Sequence, residues 1–78
     1  MKFRVIGRIE SQKTIAAGNG IREIGRLRKV YGPGKWRKKK GTGTIQLANG
    51  ETVKAELHWY ELHGKAKKEL KIKNLILE

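Results

Sequence analysis

Thr52-Val53-Lys54-Ala55-Glu56-Leu57-His58-Trp59-Tyr60-Glu61-Leu62-His63, followed by Gly64 and the basic Lys65-Ala66-Lys67-Lys68, is the stretch on which the fold turns. From Val53 its residues alternate, so Val53, Ala55, Leu57 and Trp59 share one face of an extended chain and Lys54, Glu56, His58 and Tyr60 the other. The pattern predicts a long strand with one core face and one face left to chemistry or solvent. Leu70, Ile72 and Ile76 alternate with Lys71 and Lys73, which predicts a further strand that turns back antiparallel and buries the same face.

Toward the N-terminus, Gly41-Thr42-Gly43-Thr44-Ile45-Gln46-Leu47 reads as a strand, and Ala48-Asn49-Gly50-Glu51 as the turn joining it to the next. Asn-Gly between alternating runs points to a type I′ hairpin, with positive φ at both central residues. Ile21 to Tyr31 has the helical period, with Ile21, Ile24, Leu27 or Arg28, and Tyr31 on one side and Arg22, Arg26 and Lys29 on the other. Asn19 or Gly20 marks its start, and Gly32-Pro33 ends it. Phe3, Val5, Ile6 and Ile9 suffice for a short first strand, whereas Ser11 to Gly20 has the small and polar composition of a loop. The expected fold is α+β in a single domain over 1–78. One amphipathic helix packs on an antiparallel meander of three to four strands, in the order β-α-β-β-β. A small SH3-like or OB-like barrel is the alternative, closed by a bend at Gly41 and Gly43.

Charge is the strongest global signal. Nineteen Lys and Arg stand against 7 acidic residues, all of them Glu, for a net charge of +12. Such a field draws polyanions to the molecule and costs the folded state some self-repulsion. There are no cysteines, hence no disulfides or thiolate metal sites. No apolar run reaches the roughly 20 residues of a membrane-spanning helix, and the charged N-terminus does not fit a signal peptide. The expected setting is cytoplasmic, with no membrane partner and no cofactor.

Two constellations carry the functional reading. The basic run Lys35-Trp36-Arg37-Lys38-Lys39-Lys40 holds one aromatic, and meander pairing brings it to the same end of the sheet as Lys65, Lys67, Lys68, Lys71 and Lys73. Lysines neutralise phosphates without reading sequence, and an exposed Trp36 could stack on an unpaired base. The second constellation is Glu56, His58 and Tyr60 on one strand face. A His between a carboxylate and a phenol could serve as general acid or base in cleaving RNA through its own 2′-hydroxyl, without a metal. The bland alternative is a solvated sheet face with cross-strand pairs. His58 and His63 have opposite parity on one strand, so a metal site is not expected there.

Ala55-Glu56-Leu57-His58-Trp59-Tyr60-Glu61-Leu62-His63-Gly64, a short spacer and Lys71-Ile72-Lys73, preceded by Tyr31-Gly32-Pro33-Gly34-Lys35-Trp36, resemble a group of small basic bacterial hypothetical proteins. These carry an AELHWYE-x-HG motif, a KIK strand and an upstream YG-x-x-W segment. The resemblance covers the last two-thirds of the chain and implies a compact domain without an assigned activity. Where the group has an apolar residue and Gly after His-Gly, this chain has Lys65-Ala66. The leading reading is a module binding RNA or single-stranded DNA with weak sequence preference. A toxin-type, metal-independent ribonuclease using His58, and a protein-interaction subunit with a protein partner, are the alternatives.

Overall fold

The computed structural model describes residues 2–64 and 66–77. Strand β1 (Phe3–Ala17) is followed by a short 3-10 turn (Gly18–Gly20), helix α1 (Ile24–Tyr31), and strands β2 (Trp36–Leu47), β3 (Thr52–Leu62) and β4 (Lys68–Ile76). All strands pair antiparallel in the order β1-β2-β3-β4, which leaves β1 and β4 at the two edges. The β2–β3 register runs unbroken from Trp36↔Leu62 to Gln46↔Thr52. Period-two alternation on both strands locks this register, because a one-residue slip would turn every apolar side chain outward.

Several expectations are corrected. Ser11 to Ala17 is strand and not loop: Lys13 to Ala17 pair with Arg37 to Lys40 on β2, so tertiary pairing overrides a polar local composition. Local character survives as irregularity, with register shifts on both sides of Glu10 and positive φ at Gly7 and Ser11. The helix begins at Ile24, later than Asn19 or Gly20 suggested, because Gly18–Gly20 forms its own turn. At the β2–β3 hairpin only Gly50 has positive φ, with its N–H donating to the Leu47 carbonyl at 2.9 Å. That is a type I turn closed by a glycine bulge, which needs one positive φ and not the two of type I′. Ile76 pairs with Lys54 and so leaves the face of Leu70 and Ile72, since a register shift near Glu56 reverses parity.

The sheet buries both faces, each over a different part of its length. On one, Ile45, Ala55, Leu57 and Trp59 form a core flanked by Phe3, Val5, Ile9, Leu70 and Ile72. On the other, the helix and the segment leading into it lay Ile21, Ile24 and Leu27 against Trp36, Tyr60 and Leu62. The helix therefore covers the Tyr60 side of β3, the side expected to be left to chemistry or solvent. Trp36, at 1% exposure, belongs to this second core and its indole N–H donates to the Gly32 carbonyl at 3.0 Å.

Bare backbone on β2 makes room for the first core. A Cβ on Gly41 would stand 2.5 Å from Ile9 Cγ2, 3.0 Å from the Glu10 carbonyl oxygen and 3.2 Å from the Trp59 ring. Gly41→Ala is therefore expected to destabilise the fold by about 1–3 kcal/mol through overpacking. Gly25→Ala, on an open helical position with nothing within 4 Å of its Cβ, is expected to stabilise it by about 0.5–1 kcal/mol. Urea denaturation of the two variants checks both signs.

Candidate nucleic-acid interface

Cross-strand partners share a face, so the register defines rows of side chains running across the sheet. On the face that carries the helix, one row is Ala16, Lys38, Tyr60 and Lys68; the next is Lys13, Lys40, His58 and Lys71. Beyond it lie Thr42 and Glu56 on the central strands. The helix sits over the Tyr60 end, leaving the Lys13–Lys40–His58–Lys71 row as its basic border. Three inter-strand gaps make that row about 14 Å long.

Two depressions flank the row. One, of about 160 Å³, is lined by Ser11, Lys13, Lys40, Gly41, Thr42 and Glu56. The other, of about 520 Å³, lies between the sheet and the segment leading into α1, with Ile15, Ala16 and Ile21 as apolar walls and Arg22, Lys38 and Lys71 as cations. Tyr60 and Glu23 also line it, and the Lys38 ammonium stands 6.0 Å from the centroid of the Tyr60 ring.

His58 is only 8% exposed, and its Nε2 lies 2.6 Å from Glu56 Oε2. The His58 hydrogen bond is the chief reason the Glu56 carboxyl falls below its ordinary range, with Lys40 and Asn74 assisting. An ionised Glu56 can only accept, so the proton in this bond belongs to the imidazole. That tautomer leaves Nδ1 as the nitrogen with a free lone pair, on a ring that is only 8% exposed.

The other residues singled out from the sequence separate by parity. Trp36 is core and cannot stack on a base. Lys39 pairs with Glu61 at 3.6 Å on the opposite face, and Lys67 stands 5.4 Å above the Trp59 ring on that same side. Arg37, exposed, shares the parity of Lys39. Lys35 is exposed at the start of β2 beside His63, and Lys73 is exposed on β4 next to its register shift. Lys68 reaches over Tyr31, 5.4 Å from its ring. Lys65 lies outside the described residues. Lys13 joins the row although its segment reads as loop; the β-branched Thr14-Ile15 beside it was the available sign of a strand.

No described protein family, curated protein or solved structure matches this chain. Among the described residues there is no group of three or more His, Cys or Glu placed to hold a metal ion, and no helix long and apolar enough to cross a membrane.

Arg26 is exposed to solvent but is not unpartnered. Its guanidinium grips Glu69 of β4 with two hydrogen bonds, at 2.7 and 2.9 Å, and also bridges Glu23 at 3.2 Å. Tyr31 donates to Glu69 and Tyr60 to Glu23, both at 2.9 Å. The Arg26 hydrogen bond is the main cause that lowers both carboxyls from 4.5. Carboxyls depressed in the folded state stabilise it above their ordinary value, and that contribution is lost as pH falls through the lowered value. Arg26→Met should therefore be less stable than the parent at pH 7, with the two urea midpoints converging as pH drops from about 5 toward 3.

Proposed function

We propose that this protein is a nucleic-acid-binding module that holds RNA or single-stranded DNA by its backbone, across the sheet face bordered by α1. The observation that carries the reading is the transverse row Lys13, Lys40, His58 and Lys71, with Lys38 and Lys68 in the row beside it. Strands β1, β2 and β4 each contribute one lysine to the row, and His58 of β3 lies buried between them, so the three cations are held on a platform of paired strands instead of trailing on a loop. Cations at fixed positions engage phosphates with little ordering cost, and they do so without reading bases. The net charge of +12 adds long-range attraction.

Trp36 has no part in this reading, because an indole buried under the helix offers no face to a base. The ribonuclease alternative draws less support, because His58 is only 8% exposed and so offers an incoming backbone little of its ring. The likeness to small basic bacterial proteins with an AELHWYE-x-HG motif is compatible with a binding role and supplies none of its own.

Five phosphate contacts to a single strand would give a salt slope of about −3.5, or an affinity loss of about 100-fold between 50 and 200 mM salt. Removing three of them by Lys13→Ala, Lys40→Ala and Lys71→Ala together should weaken binding equally for all sequences and flatten the slope by about 2. Lys39→Ala, on the opposite face, should leave both unchanged. Fluorescence anisotropy with labelled oligonucleotides at four salt concentrations measures these effects; an unaltered slope in the triple variant refutes the interface.

A further inference from the structure

The basic row explains affinity for a backbone but does not account for the cleft beside it. A surface that met only duplex phosphates would need no recess. Here the sheet and the segment leading into α1 border an open depression of about 520 Å³, within the roughly 300–1,000 Å³ range of small-molecule sites. Its chemistry is divided. Ile15, Ala16 and the edge of the buried Ile21 give it an apolar patch, while Lys38, Lys71 and Arg22 supply positive charge beside the Glu23 carboxylate.

A polar recess with one apolar patch beside cations matches an amphiphile with a flat, weakly polar body and an anionic group attached to it. A nucleotide has that form: the base is a π-surface and the phosphate carries the charge. Lys71 belongs at once to the cleft and to the row, and Lys38 to the neighbouring row. A chain whose phosphates track the row would therefore pass the mouth of the cleft. Tyr60 at its base is held from both sides, its hydroxyl donating to Glu23 at 2.9 Å and its ring beneath the Lys38 ammonium.

We infer that the cleft between the sheet and the segment leading into α1 is a pocket for one unstacked nucleotide of a single strand, with the base against Ile15 and Ala16 and its phosphate on Lys38 and Lys71. This rests on the proposed interface and adds to it a preference for single strands. A base paired and stacked within a duplex cannot enter a recess, so a duplex would be held by the row alone.

The test fills the cleft without touching a charge. Ala16→Leu is compared with the parent in binding a labelled 12-nucleotide oligo-U RNA and a 12-base-pair duplex, with far-UV circular dichroism and the urea midpoint as controls for folding. The expected result is a loss of about 10-fold or more for the single strand, with duplex affinity and both salt slopes unchanged. Equal losses on both polymers, or none on either, overturn the pocket. A second measurement needs no variant: UMP titrated into the parent protein should shift the amide resonances of Ala16, Ile21 and Arg22 in preference to those of the opposite face. Absence of such shifts up to millimolar UMP also overturns it. If the parent binds neither polymer the interface itself fails, and the UMP titration alone decides the pocket.

Discussion

The second half of β3 is buried on both faces, and the rest of the molecule is arranged around the polar groups this carries inward. His58, Trp59, Tyr60 and Glu61 are consecutive and all less than 9% exposed. A buried donor without a partner costs more than most single contacts return, so each must be answered nearby. His58 donates to Glu56, Trp59 to Glu61 at 2.8 Å, and Tyr60 to Glu23 of the segment opposite. No buried side-chain nitrogen or oxygen among the described residues lacks a partner.

This answers a question raised by composition. Of 7 glutamates, four (Glu23, Glu56, Glu61 and Glu69) take part in internal hydrogen bonds and ion pairs. The acidic residues are largely spent holding the structure together, which leaves the basic ones to define the outer field. High net charge and a sound interior thus come from one division of labour. The cost is mutual repulsion along the lysine rows, which counterions or a bound polyanion relieve.

Alternation made the β2–β3–β4 meander legible, because period two leaves little choice of face or register once an apolar set is fixed. The convergence of the Lys35–Lys40 segment with the end of β3 and the start of β4 came from that pairing alone. Two things were hidden. The reach of β1 to Ala17 depends on partners twenty or more residues away and not on its own polar composition. The burial of Trp36 and Tyr60 depends on which sheet face the helix chooses, and a strand with apolar residues on one face and Tyr60 on the other does not announce that both will be covered. Bulges were the third obstacle. A register shift that adds one residue reverses the parity of those beyond it, as on β4, so Ile76 lands on the polar side and Lys73 falls beside the irregularity.

The clasp between Arg26 and Glu69 joins residues 43 apart in the chain, linking the helix to the last strand. During synthesis the helix emerges with its apolar side chains and has only β1 to rest on. The β2–β3 hairpin must form before Trp36 and Tyr60 can receive it, and its polar fastening waits until Glu69 has left the ribosome. A chain cut short before β4 would carry a helix without that fastening.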